Sequence, residues 1–397
     1  MEYIFSDKLA ALKPSAIREI FKSLADPTII SFAAGNPAAE SFPVEALATL
    51  SAEIFKESAD KALQYGMTEG YPPLREEIAK RQKEVFGIGK AGDATIVVSG
   101  GQQGIELACK ALCNEGDVVL CENPSFIGAL NAFRSNGART VGVPMSEDGI
   151  DPDALEQAIK DNPRTKLIYL IPTFQNPTGI TTSERKRRRV LEIAKRYSLP
   201  ILEDNPYGEL RFAGEEIPTL KSMDEDGLVI YCSSISKILS AGMRVGFVIG
   251  PEAIVSKMVV AKQSEDVHTN LFFQMLCHRF VTTCDLDAHI KKIRALYRRK
   301  CDLMLTELEK NLPAEVTFTR PEGGLFIWCT LPEGADMNAF VKRAIEKKVA
   351  VVPGTTFNCD TTAPSQSFRL NYSTPTDEQI IEGCKRLGEA AREFLKS

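Results

Sequence analysis

Lys237 stands in Ser233-Ser234-Ile235-Ser236-Lys237, and Arg244 follows in Ala241-Gly242-Met243-Arg244-Val245-Gly246. The run just before, Leu228-Val229-Ile230-Tyr231, has the apolar, β-branched character of a buried strand. A lysine at a strand end, with hydroxyls beside it and a glycine-bracketed arginine after it, suits Schiff-base chemistry. The amine can condense with an aldehyde cofactor, while Ser234, Ser236 and Arg244 hold that cofactor's phosphate.

Other residues supply the remaining parts of such a site. Asp204 ends the run Pro200-Ile201-Leu202-Glu203, and Tyr207 lies three residues on. A carboxylate against a pyridine nitrogen keeps that nitrogen protonated, because opposite charges favour the ionised pair. A phenol nearby can hydrogen-bond the ring oxygen. The same Asp-Asn-Pro string also describes a plain turn. Asn176, in Gln175-Asn176-Pro177-Thr178-Gly179, can donate to that ring oxygen, although Asn-Pro and Thr-Gly are ordinary loop signals. Gly100-Gly101-Gln102-Gln103-Gly104 joins a strand to a helix, where backbone N–H groups and the helix start favour a phosphate. Its glycine spacing does not fit a dinucleotide fingerprint. Phe126 can stack on a planar ring or simply pack behind its proline turn. Arg369, in the alternating run Ser367-Phe368-Arg369-Leu370-Asn371-Tyr372, has the planar fork that clamps a carboxylate, or is a surface strand arginine.

These residues must be positioned by a scaffold of 397 residues, enough for two or three domains. Short Val/Ile-rich runs alternate with amphipathic segments between about residues 94 and 250. Candidate strands cover 95–98, 118–121, 140–143, 167–171, 200–203, 228–231 and 246–249, with helices such as 104–113 and 183–197 between them. That alternation predicts an α/β fold with a mostly parallel sheet flanked by helices. In such sheets ligands bind beyond the carboxyl ends of the strands, where the residues above fall. After residue 285 a long helical pattern over 287–311 leads into short strands and further helices. The expected division is a large cofactor-binding domain over 45–285 and a smaller α+β domain built from 1–44 and 286–397.

Composition narrows the classes further. The formal net charge is −5, which gives no support to nucleic-acid binding. The basic run Arg185-Lys186-Arg187-Arg188-Arg189 reads as a solvated helix face. Ten cysteines lack a metal-ligand spacing, and Cys109 and Cys113 have no histidine nearby. They read as reduced thiols filling the core of a cytoplasmic protein. The N-terminal residues lack the basic start and apolar run of a signal peptide, and no apolar stretch is long enough to span a bilayer.

Taken in order along the chain, these segments resemble the class I/II pyridoxal-phosphate-dependent aminotransferases of the aspartate aminotransferase fold. They look closest to the branch of 2-aminoadipate and kynurenine aminotransferases. The resemblance runs from Ser15-Ala16-Ile17-Arg18-Glu19-Ile20 and Gly35-Asn36-Pro37, through Gln64-Tyr65-Gly66, to Arg369. Its most specific parts are Asn176-Pro177-Thr178-Gly179 and Ser234-Ile235-Ser236-Lys237 with Arg244. It implies fold type I, pyridoxal 5'-phosphate on Lys237, Asp204 on the pyridine nitrogen, and Asn176 and Tyr207 on the ring oxygen. It places Gly101, Gln102, Ser234, Ser236 and Arg244 at the phosphate and Phe126 over the ring. Arg369, Asn176, Gly35 and Arg18 fall around the substrate. Tyr65 would reach the phosphate of a neighbouring subunit, which implies a homodimer with shared sites. Gly101 stands where relatives often have serine or alanine, and Phe126 replaces a frequent tyrosine.

The activity implied is amino transfer from an L-amino acid, aromatic, 2-aminoadipate-like or other, to a 2-oxo acid such as 2-oxoglutarate. One carbanion has several fates, so a lyase or racemase on the same scaffold is the enzymatic alternative. A ligand-sensing module of a transcription regulator is the non-enzymatic one. Arg18 could reach a distal carboxylate or only pair along its own helix.

Overall fold

The computed structural model describes residues 3–10 and 26–396. Arg18, and the Ser15–Ile20 segment that entered the resemblance, lie outside the described residues. The strands are β1 (Ile30–Ser31), β2 (Asp93–Val98), β3 (Val118–Asn123), β4 (Arg139–Ser146), β5 (Gly149–Ile150), β6 (Thr165–Leu170), β7 (Ile201–Asp204), β8 (Val229–Ser234), β9 (Gly246–Pro251), β10 (Thr317–Phe318), β11 (Phe326–Thr330), β12 (Val349–Ala350), β13 (Val352–Pro353) and β14 (Ser367–Asn371).

Eight of them form one sheet in the order β2-β9-β8-β7-β6-β3-β4-β5. The pairs β8·β7, β7·β6, β6·β3 and β3·β4 are parallel, whereas β9 runs against both its neighbours. The strand pattern explains this architecture. Ile96, Val98, Val119, Cys121, Leu167, Leu202, Ile230 and Val248 point to one face, beneath the helices Gly101–Leu112, Ile127–Ser135 and Glu252–Glu265. Val118, Leu120, Ile168, Leu170, Ile201 and Val229 point to the other, beneath Pro152–Asp161 and Glu184–Tyr197. Successive strand residues face opposite ways, so a strand covered on both sides must be apolar throughout.

The strand directions put the chemistry at one edge. β6, β7 and β8 end at the carboxyl edge with Leu170, Asp204 and Ser234. β2 is parallel to β8 through the intervening β9, so Val98 ends there too. Because β9 is reversed, its first residue, Gly246, starts at that edge, paired with both Val98 and Ser234. A Cβ on Gly246 would lie 2.8 Å from the Gly100 carbonyl carbon and the Gly101 nitrogen. Only glycine there lets the 99–101 turn fold across the sheet end.

A second, antiparallel sheet, β10-β11-β14-β13, packs with the helices Leu286–Asn311 and Asp377–Lys396. β1 pairs in parallel with β12, which ties residues 30–31 to the C-terminal part of the chain.

The basic run departs from expectation. Arg185, Arg188 and Arg189 carry surface ion pairs, but Arg187 is fully buried and Lys186 nearly so. Helical periodicity turns one residue of any five-residue run toward the sheet. Arg187 donates from Nε to Thr182 O (2.9 Å), from Nη1 to Pro218 O (3.1 Å), and from Nη2 to Pro172 O (2.7 Å) and Thr173 Oγ1 (2.9 Å). It thereby fixes the stem of the loop that carries Asn176. All ten cysteines are free and eight are buried. No helix among the described residues is long and apolar enough to cross a membrane, and no cluster of metal-ligating side chains is present among them.

Removing Arg187 orphans several buried carbonyls, a cost of about 1–3 kcal/mol each when water cannot enter. Arg187→Ala should lower stability by about 3 kcal/mol in denaturant unfolding. Arg185→Ala, on the exposed face of the same helix, should change it by less than about 0.5 kcal/mol.

Candidate active site

Lys237 lies in a short 3-10 turn directly after β8, where the Ser234 hydroxyl accepts from the Ser236 N–H (3.1 Å) and closes the turn. That turn lifts the lysine off the sheet edge. Its Nζ donates to the Gly35 carbonyl at 2.8 Å, and no carboxylate among the described residues pairs with it. Burial, with Arg369 and Arg244 nearby, depresses its pKa from the ordinary lysine value to about 8.

Asp204, the last residue of β7, is buried. Its Oδ2 accepts from the Tyr169 hydroxyl at 2.7 Å, while Oδ1 has no hydrogen-bond partner among the described residues. Desolvation pushes its pKa up to about 7, against the lowering effect of the Tyr169 bond. Tyr207 is buried three residues on, with its ring edge on Phe326 and Asn176 nearby; desolvation raises its pKa above the ordinary tyrosine range.

Asn176 sits on the loop after β6. Gln175 anchors that loop by donating to Pro124 O (2.8 Å) and accepting from the Thr178 N–H (2.9 Å) and hydroxyl (2.8 Å). The Asn176 Oδ1 accepts from Arg369 Nη1 at 2.9 Å, which leaves its amide N–H groups for other acceptors. Arg369, on β14, donates from Nη2 to Ala33 O (2.9 Å) and lies over the Phe326 ring at 4.2 Å and the Phe357 ring at 5.1 Å. Its Nε is buried without a partner. Desolvation lowers its pKa to about 10.

Lys237, Asp204, Tyr207, Asn176, Gly35 and Arg369 thus form one cluster. The remaining predicted groups flank it. Gly100 has φ +81° and lies against the Arg244 guanidinium, which donates to Ser99 O at 3.2 Å, and Gly101 begins the following helix. The Ser234 and Ser236 hydroxyls are 2.7 Å apart beside this turn. Gln102 donates to Gly128 O (2.8 Å), in the first turn of the helix whose N-cap position is Phe126. Tyr65 is not brought to the cluster: it is 80% exposed, with its ring edge on His268. Sequence reasoning missed Tyr169, Phe326, Phe357 and the Ala33 carbonyl. Tyr169 had a signal, since a phenol inside a doubly covered strand must find a polar partner. The others meet only through the fold.

The family model described as aminotransferase class I and II matches residues 27–387. The chain belongs to the class I and II aminotransferases. It is 40% identical to aromatic-amino-acid aminotransferase 1 of Thermococcus litoralis, over all of this chain and 95% of that one. It is 39% identical to 2-aminoadipate transaminase of Thermus thermophilus, over 98% and 97% of the two chains. The crystal structure of Pyrococcus horikoshii kynurenine aminotransferase superposes with a TM-score of 0.95 at 40% identity, over 99% of this chain and 98% of that one. The protein is therefore a pyridoxal-phosphate-dependent amino-acid aminotransferase of fold type I.

Because the folded-state pKa of Lys237 lies below its unfolded value, the cost of burying its charge is present in full below about pH 8 and fades as pH rises toward 10.5. In the cofactor-free protein, Lys237→Met should raise the melting temperature by several degrees at pH near 7. The gain should shrink at pH near 10, as followed by thermal denaturation.

Proposed function

We propose that this site transfers an amino group from an L-amino acid, aromatic or 2-aminoadipate-like, to a 2-oxo acid such as 2-oxoglutarate, with Lys237 as the cofactor-anchoring and proton-moving group. The observation that carries this reading is the half-buried Lys237 amine, which among the described residues has a backbone carbonyl and no carboxylate for a partner. An amine so placed gives up its proton readily and can act as nucleophile or base near neutral pH.

The other residues fit pyridoxal phosphate. The unpartnered Oδ1 of Asp204 is available to a ring nitrogen, and the free N–H of Asn176 and the Tyr207 hydroxyl to the ring oxygen. The Gly101 and Gln102 N–H groups at a helix start, with Ser234, Ser236 and Arg244, form a cradle for its phosphate. Phe126 offers a ring face. When bound, the cofactor supplies an aldehyde and a protonated ring that draws electrons from the substrate's α-carbon. Lys237 then moves the proton at that carbon, first as base and later as acid. Arg369, with Asn176 and Gly35 beside it, holds the substrate carboxylate, and its orphaned Nε marks unused donor capacity. Retaining the carboxylate disfavours its loss. Arg18 is the candidate for a distal substrate group.

The wider reading is a homodimer in the cytoplasm, with a large domain over 45–285 and a small one from 1–44 and 286–397. Exposed Leu63, Tyr65 and Met67 support a second copy as the owner of that surface, with Tyr65 reaching the neighbour's phosphate site.

Incubating the holoenzyme with single amino acids and 2-oxoglutarate should yield glutamate. Release of ammonia and pyruvate instead would indicate elimination. Lys237→Ala should remove turnover, and normal turnover in that variant would refute the mechanism. Arg369→Gln should lower kcat/KM by about two orders of magnitude, mostly through KM, because a bidentate charged contact is lost.

A further inference from the structure

Four titratable side chains among the described residues act on Asp204. Tyr169 approaches from β6, Glu122 from β3, Cys232 from the register-paired position on β8, and Tyr207 from the following loop. None of these is a cation, and Glu122 is turned to the Ile171 N–H at 2.9 Å. Among the described residues, the Tyr169 hydroxyl is the one group hydrogen-bonded to the carboxylate. Its ring is locked, with no solvent exposure, by the β6 ladder to Cys121 and Leu202 and by the edge of Phe133 at 5.3 Å.

We propose that Tyr169 is a positioning residue for Asp204: its hydroxyl holds Oδ2, turns Oδ1 toward the site, and sets how strongly the carboxylate draws the proton of a bound pyridine nitrogen. The inference rests on the assignment of Asp204 to that nitrogen. Physically, a carboxylate that accepts a short O–H···O bond is a weaker base than one that does not. With the bond present, the proton stays on the ring and the ring keeps its positive charge. With the bond absent, Asp204 pulls the proton toward itself, the ring is less positive, and it withdraws electrons less well. Burial pushes the Tyr169 phenol well above the ordinary tyrosine range, so the group stays a donor.

The test uses the holoenzyme and two variants. Tyr169→Phe removes the hydroxyl and keeps the ring against Phe133. Replacing Tyr169 with 3-fluorotyrosine keeps the shape and makes the donor stronger. The pH midpoint of the cofactor's visible absorbance should rise by about half a unit in Tyr169→Phe and fall in the fluorinated protein. Opposite shifts are not what a packing role would cause. In Tyr169→Phe, kcat should drop about tenfold with KM changed less than about twofold, the size of one hydrogen bond to a charged group. If both folded variants titrate and turn over as the wild type does, the inference is overturned while the reading of the site stands. If the wild type itself gains no visible band on adding pyridoxal phosphate, the reading of Lys237 falls and this inference with it. Should Tyr169→Phe fail to fold, the fluorinated protein decides: a shift to lower pH supports the role and no shift overturns it.

Discussion

Everything at this site depends on keeping three ionisable groups dry without letting them neutralise one another. Asp204 and Arg369 are buried and Lys237 is half-buried within one cluster, and none makes an ion pair with another described residue. Lys237 and Arg369 rest on the carbonyls of Gly35 and Ala33, Arg369 also on Asn176, and Asp204 on the Tyr169 phenol. Taking charge out of water is costly unless polar partners replace the solvent. Neutral partners do so only in part, which is why the lysine and arginine pKa values fall and the aspartate value rises. The scaffold bears that cost, and the groups remain available to a charged ligand.

The scaffold meets this demand with strand geometry. β6, β7 and β8 run in parallel and deliver Asn176, Asp204 and Lys237 to one edge, on short connections that have little freedom to move. The reversal of β9 brings Arg244 to the same edge from the opposite direction. Gly246 then permits the 99–101 turn to close over the sheet end. Arg187 ties Pro172 and Thr173, and Gln175 ties the next turn, so the loop between strand and site is fastened at two points. A buried arginine within a helix of basic residues therefore serves the site through the loop stem.

The antiparallel second sheet and the segment after β1 contribute the remaining groups of the cluster. Arg369 comes from the middle of β14, and the segment 33–35 follows β1. Phe32 is joined to Ala350 and Asn371 by backbone bonds, so β12 and β14 set the height of the carbonyls that hold both cations. Phe326 and Phe357 flank the guanidinium, keeping water off it and the fork in one plane.

Much of this was legible in the chain. Unbroken apolar runs predicted the doubly covered sheet, because a strand with helices on both faces has no polar side. Residues at the ends of those runs include most members of the cluster, because a parallel sheet collects its carboxyl ends along one edge. Arg187 was misread because a run of like charges does not show which residue helical rotation turns inward. Tyr169, Phe326 and the Ala33 and Gly35 carbonyls are partners separated by tens to hundreds of positions. Local pattern could nominate the groups that react. Only tertiary packing, which brings distant backbone and side chains within hydrogen-bond reach, decided what holds each of them and how far its proton affinity moves.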